Sequence, residues 1–253
     1  MNYREINADT IDRWVREGWE WGVPITHEDY MKAASGDWDV LLTPTKPVPH
    51  GWFCDLEGKV VLGLAAGGGQ QMPVFAARGA HCTVFDISEE QLKSERLVAQ
   101  REGYEIRIVK GDMTLPLPFE DASFDLVFHP VSNDYIKDAE RVFKECYRVL
   151  RPGGVLLCGL SNEVNFIVNG DETMIVNRMP FDPLSVPEYM KTLQDEDCGV
   201  QFSHTVDEQL GGQLRAGFIL TDLYGDVNGD GRLRELNIQT YTATRAVKPG
   251  TPG

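Results

Sequence analysis

No stretch of the 253-residue chain approaches 18 uninterrupted apolar residues, so a membrane-spanning helix is not expected. The first 20 residues, MNYREINADTIDRWVREGWE, mix charges throughout and lack the apolar centre of a secretory signal. A soluble, cytoplasmic protein is the expectation. The five cysteines (Cys54, Cys82, Cys146, Cys158, Cys198) are an odd, scattered set with no C-x-x-C pair, which argues against a disulfide framework and for free thiols, mostly in the core. Positive charge is scarce as well. With 24 Lys and Arg against 39 Asp and Glu, the formal net charge is -15 and no dense basic run offsets it. Such a field repels a phosphate backbone and disfavours nucleic acid as a partner, while attracting cationic molecules. The five histidines (His27, His50, His81, His129, His204) show no ligand spacing with each other or with the cysteines, so no metal is expected. Asp226 to Gly231 spells D-x-N-x-D-G, the opening half of a calcium loop. Position 12 is Asn237 where a bidentate Glu belongs, and a hairpin turn between the last two strands is the better expectation. No internal repeat or low-complexity segment is visible.

What is present is enough apolar residue, 42%, to bury one sizeable core. Runs of strand length begin at Val60, Cys82, Ile106, Phe124 and Gly154 and alternate with helix-length segments, which predicts parallel strands joined by crossover helices. Their continuous apolar character suits strands covered on both faces. Ser88 and Gln91 read as a capping box opening one helix. Ile136, Ala139, Val142, Phe143, Cys146, Tyr147 and Leu150 recur at three and four, predicting an amphipathic helix that stops at the Arg151-Pro152-Gly153-Gly154 break. Beyond Asn162 the pattern weakens, then recovers as a helix near 206–216 and strands near 218–224 and 239–246. All five tryptophans (Trp14, Trp19, Trp21, Trp38, Trp52) fall within residues 1–58, which read as an N-terminal helical extension serving either as a lid over the sheet's ligand edge or as packing cement. The main domain is expected over residues 59–250.

The strongest local signal is VVLGLAAGGGQQMPVFAARGAHCTVFDIS, a buried strand running into a small-residue loop, a helix, and a second strand ending in Asp86. Ala65, Ala66, Gly67, Gly68 and Gly69 carry almost no side chain, so a ligand can approach the backbone there, and the amides opening the next helix point at it. Asp86, 17 residues past Gly69, stands where a carboxylate can accept both hydroxyls of a ribose. A dinucleotide fingerprint starting at Gly67 would need a small residue at position 72. Met72 stands there, followed by Pro73, which favours a mononucleoside over a pyrophosphate.

In this loop, in Asp86, in GDM at Gly111 to Met113 and in LRPGG at Leu150 to Gly154, the chain resembles the class I S-adenosylmethionine-dependent methyltransferases over about residues 59–160. The wording AAGGGQQ, with HPVSN at His129 to Asn133 and ATRAVKP at Ala243 to Pro249, is similar to a bacterial subgroup of that family. The resemblance implies an α/β fold, a Rossmann-like doubly wound sheet of about seven strands, helices on both faces, and one antiparallel strand in the final pair. It implies S-adenosylmethionine as cofactor and S-adenosylhomocysteine as product. It also implies that Ala65 to Gly69 line the methionine tail, Asp86 holds the ribose, Ile87 and Met113 flank the adenine, and Asp112 accepts its exocyclic amine. His129 would sit beside the methionine amine and the sulfonium, as a candidate general base. The family's acidic residue is replaced by Gly63, with Gln70 and Gln71 as candidate substitutes. Asn133, Asp134 and Tyr135 read as helix start signals or as contacts to the acceptor. The implied reaction is methyl transfer to a small molecule. A non-catalytic S-adenosylmethionine-binding sensor or partner subunit keeps every motif, and an NAD-dependent oxidoreductase keeps the loop and Asp86 while leaving GDM and LRPGG without a role.

Overall fold

In the computed structural model, which describes residues 2–250, seven strands form one sheet. They are β1 (Val60–Leu64), β2 (His81–Asp86), β3 (Ile106–Lys110), β4 (Phe124–His129), β5 (Leu150–Ser161), β6 (Ile219–Asp226) and β7 (Tyr241–Val247), in the spatial order β3-β2-β1-β4-β5-β7-β6. Every pairing from β3 to β5 is parallel, and β7 runs antiparallel to both of its neighbours. The expected single antiparallel strand is therefore β7.

The apolar runs form strands because both faces of the sheet are covered. Leu62, Leu64 and Phe85 pack on one side with Val142, Phe143 and Cys146 of α5 (Ala139–Val149). Val61 and Val84 pack on the other with Met72 and Phe75 of α3 (Gln71–Ala77) and Leu92 of α4 (Glu89–Glu102). Adjacent residues of one strand thus enter opposite cores, as the two-residue period of a strand requires. β1 and β4 are neighbours although β1 also pairs with β2, so the order reverses between them, and their C-terminal ends diverge to leave the crevice where ligands bind in open α/β sheets.

The residues before β1 form α1 (Tyr3–Arg16) and α2 (His27–Ser35), which pack against α4 and α3 respectively. Residues 162–205 carry α6 (Val164–Ile167), α7 (Pro187–Asp195) and long connections, with a small core of Phe166, Phe181 and Leu193. A π-helical turn at Asp207–Gly211 leads into α8 (Gly212–Ala216).

Three local expectations need correction. The β6–β7 connection is no simple hairpin turn, because it holds a short helix, α9 (Gly231–Glu235), whose Leu233 is buried and whose Leu233 N–H is accepted by Glu172 at 2.7 Å. The Ser88 box is half formed. Ser88 Oγ accepts the Gln91 N–H at 3.1 Å, but the Gln91 side chain turns outward from α4 and donates to the Trp21 carbonyl at 3.3 Å. The third concerns Asn133 to Tyr135, which form a separate 3-10 turn, and α5 starts only at Ala139, capped by Asp138.

Candidate functional site

A cavity of about 670 Å³ opens at the C-terminal ends of β1, β4 and β5. Its floor is the loop after β1. Ala65 takes a positive φ of 48° and its N–H bonds the Phe85 carbonyl, which turns the chain away from the sheet. Gly67 needs its missing side chain, since a Cβ would stand 2.7 Å from Gln91 Cβ and 3.0 Å from Asp86 Oδ2. Gly67 N–H donates to that same Oδ2 at 3.0 Å, and Ser88 N–H donates to Oδ1 at 2.9 Å. The Ile87 N–H adds to these, and the two carboxylate oxygens keep acceptor capacity beyond their backbone donors. Burial raises the Asp86 pKa against these bonds, so its carboxylate is a strong acceptor short of donors.

The structure brings Ala65, Ala66, Gly67, Gln71, Asp86, Ile87 and Met113 to this cavity. A smaller adjoining lobe is lined by Ala65, Phe85, Asp86, Ile87, Gly111, Asp112 and Met113, closed by Arg4, Asn7 and Ile11 of α1. Asp112 is already engaged there. Arg4 Nη1 lies 3.2 Å from its Oδ2, and Thr114 N–H donates to Oδ1 at 2.8 Å. Gly68 and Gly69 lie deeper and hold the loop, with Gly68 N–H bonded to the Gln91 carbonyl and Gly69 N–H to Glu95 Oε1 at 2.8 Å.

Gln70 and Gln71 do different work. Gln70 Nε2 ties the loop to the Glu20 and Val23 carbonyls at 2.7 and 3.0 Å. Gln71 is 7% exposed, lines the cavity, and its Oε1 has no partner. An unpaired buried amide oxygen costs free energy unless a donor arrives, so this atom is a ligand-ready acceptor. At Gly63, Met72 closes the space: a Cβ there would meet Met72 Sδ at 2.7 Å and Cε at 2.9 Å. No larger residue fits beside Met72, which gives a packing reason for glycine.

His129 is placed differently from the expectation. It is fully buried, does not line the cavity, and both ring nitrogens are occupied, Nδ1 by the Leu64 carbonyl at 2.9 Å and Nε2 by the Asn133 amide at 2.8 Å. Because a carbonyl can only accept, Nδ1 carries the proton; burial lowers the pKa and favours the neutral ring, in which Nε2 accepts from the Asn133 amide turned to present its otherwise unpaired Nδ2. A general base must reach its substrate, and His129 instead pins the end of β1 to the end of β4.

The N-terminal tryptophans expected as a lid supply part of the remaining wall, and residues 162–205, where no motif was legible, supply the rest. Trp19 and Trp21 line it from the N-terminal segment, Leu42 to Pro44 cross it, and Asn165, Phe166, Phe181 and Cys198 close it from residues 162–205. Trp14 packs on Trp19 with centroids 5.2 Å apart, while Trp38 and Trp52 belong to the core on the α3 face. Among the described residues, no group of three or more His, Cys, Asp or Glu is arranged to hold a metal ion, and no helix is long and apolar enough to cross a membrane.

Comparison with known proteins bears on this geometry. Residues 62–158 match a methyltransferase domain family. The uncharacterized methyltransferase YbaJ of Bacillus subtilis (strain 168) is 40% identical over 249 residues, covering 96% of this chain and 97% of that protein. The chain belongs to the S-adenosylmethionine-dependent methyltransferases. An S-adenosylmethionine dependent methyltransferase from Mesorhizobium loti shares the fold of this methyltransferase with a TM-score of 0.63 at 20% identity, over 78% of this chain and 94% of that one. Geranyl diphosphate C-methyltransferase from Streptomyces coelicolor A3(2), solved with Mg2+, geranyl diphosphate and S-adenosyl-L-homocysteine, has a TM-score of 0.54 at 14% identity, over 76% of this chain and 74% of that one. In the methyltransferase the loop, Asp86 and the adjoining lobe all fall in the β1–β4 crevice.

Proposed function

We propose that this methyltransferase binds S-adenosylmethionine along the β1–β4 crevice and transfers its methyl group to a small-molecule acceptor seated under residues 162–205. The observation that carries the reading is continuity: one cavity joins the glycine loop and Asp86 to a chamber walled by Phe166, Phe181 and Tyr241. The residues fit the cofactor. Asp86 keeps acceptor capacity for the two ribose hydroxyls, Ile87 and Met113 border the lobe suited to adenine, and Asp112 faces its amine side once Arg4 shares the carboxylate. Ala65 to Gly67 leave room for the methionine tail, Gly68 and Gly69 hold the loop behind them, and the unpartnered Gln71 Oε1 is an acceptor for its ammonium.

The cofactor supplies an electrophilic methyl group; the chain supplies position and a dry site. Asp86 fixes the nucleoside end. Trp19, Trp21 and the segment Leu42 to Pro44 cover the crevice, so residues 1–58 serve as a lid over the domain of residues 59–250. His129 acts by holding the β1 and β4 ends in register. A cofactor-binding protein without catalysis is not favoured, because the cavity extends well past the cofactor-binding residues. The geranyl diphosphate neighbour likewise joins this fold to a small organic acceptor.

Calorimetric titration with S-adenosylmethionine and S-adenosylhomocysteine, beside Asp86→Ala, tests the reading. Binding of both, weakened by roughly 1–3 kcal/mol in the variant as the ribose bonds are lost, is the expected result. A flat titration, or a variant that binds as tightly as the parent, overturns it.

A further inference from the structure

Resting on that reading of the cavity, we infer that its acceptor compartment takes an amine, with Asp134 as the carboxylate that binds the amine's charge and receives its proton. Among the described residues, the cavity lining includes four carboxylates, Asp86, Asp134, Glu172 and Glu196, and no Lys, Arg or His. Three of the four are accounted for. Asp86 faces the cofactor loop, Glu172 accepts the Leu233 N–H and the Asn228 amide, and Glu196 is exposed on the rim after α7. Asp134 is left as the interior one.

Its surroundings are built for a carboxylate that meets a ligand. Asp134 follows the end of β4, Ser161 ends β5, and Tyr241 begins β7 opposite Ser161, so three strand ends converge. The nearby Ser161 hydroxyl favours the charged form of Asp134, and Asn165 Nδ2 donates to Ser161 Oγ at 2.9 Å. Among the described residues no cation offsets the charge there. Burial pushes the Asp134 pKa up to about 7, the value at which a carboxyl group both takes and releases a proton near neutrality. Tyr135 and Tyr241 flank it, and each feels its negative charge. A carboxylate in a cavity lined also by tyrosines is the chemistry that holds an organic ammonium. An anionic acceptor would meet four like charges with no partner.

The step balances. The bound ammonium first gives one proton to Asp134; the freed nitrogen lone pair then bonds the methyl carbon as the carbon–sulfur bond breaks with its electrons going to sulfur, leaving a methylammonium product and a protonated Asp134. Solvent takes that proton when product leaves.

The test uses the full chain saturated with S-adenosylhomocysteine and three indole probes that meet the aromatic wall alike: tryptamine, a cation; tryptophol, neutral; and indole-3-propionate, an anion. Each is titrated calorimetrically against the parent and Asp134→Asn, an isosteric change that removes the charge. The expected order is tryptamine tightest and indole-3-propionate weakest. Asp134→Asn should cut tryptamine binding at least tenfold, leave tryptophol and S-adenosylhomocysteine binding unchanged, and give a thermal midpoint at or above the parent's. Equal or tighter binding of the alcohol or the acid, a preference that survives Asp134→Asn, or binding of none of the three overturns the inference. Failure of S-adenosylhomocysteine itself to bind would instead sink the cofactor reading, so the two failures are told apart in one experiment.

Discussion

Glu95 shows at the scale of one residue how the loop is held at a cost. Its Oε1 accepts the Gly69 N–H at 2.8 Å, its Oε2 is buried with no partner, and burial raises its pKa to about 8 from an ordinary value of 4.5. A carboxyl group with a raised folded-state pKa keeps a proton that the unfolded chain gives up, so its contribution favours folding at low pH and is lost as pH rises from 4.5 through 8. Glu95→Gln keeps an acceptor for Gly69 and removes the ionisation. The variant should therefore match the parent near pH 5 and exceed it at pH 9 by on the order of 2 kcal/mol in chemical denaturation. A difference that does not change with pH would mean that Glu95 stays in one ionisation state throughout. Gly63 and Met72 illustrate a related economy, since the thioether fills the space that a side chain at position 63 would need. The glycine itself was plain in the sequence. Its reason was not, because it depends on which way a side chain nine residues later turns.

Among the elements, α1 is the one whose position the sequence left open between lid and cement, and its contacts explain why. Asn7, 3% exposed, donates to the Tyr135 carbonyl at 3.1 Å and the Val200 carbonyl at 3.0 Å and accepts the Val200 N–H at 2.6 Å. One amide thus joins α1 to the turn after β4 and to the far end of residues 162–205, partners 128 and 193 positions away. Asn7→Ala strands three backbone groups, and a loss of roughly 1–3 kcal/mol in global stability is expected. Hydrogen exchange should show the α1 amides losing protection before those of β1 and β4. If α1 exchanges as in the parent, the Asp12–Ser88 hydrogen bond and the Arg13–Asp197 ion pair suffice to hold it. The central strands and the glycine loop were legible because their signals are local: apolar runs, small residues, a carboxylate at a strand end. Residues 162–205 were not, because α6, α7 and their connections are fixed by long-range bonds and a small satellite core around Phe181. The same locality explains the Gln91 misreading, where a helix-start pattern hid a side chain that reaches across to Trp21.

For the whole molecule the sequence disclosed the amount of charge, -15, but not where it gathers. The fold concentrates its sign, since among the described residues the cavity wall holds four carboxylates and no basic residue while Arg and Lys pair with acids elsewhere on the surface. A field of this kind acts on the cofactor pair unequally. S-adenosylmethionine differs from S-adenosylhomocysteine by the sulfonium charge and the methyl group that creates it. Contacts to a methyl group do not respond to salt, so the salt dependence of the affinity ratio reports the attraction for the positive charge. Exposed charges are screened over about 10 Å at 0.1 M salt and about 3 Å at 1 M, whereas those lining the cavity are screened less. Raising salt from 0.01 M to 0.5 M should accordingly lower the preference for S-adenosylmethionine over its product by a few-fold and leave part of it intact, with slower association carrying most of the loss. Titration of both ligands across that range checks this. A ratio independent of salt would assign the preference wholly to the enclosed carboxylates and the methyl contacts, and a ratio that collapses to one would assign it to the outer surface.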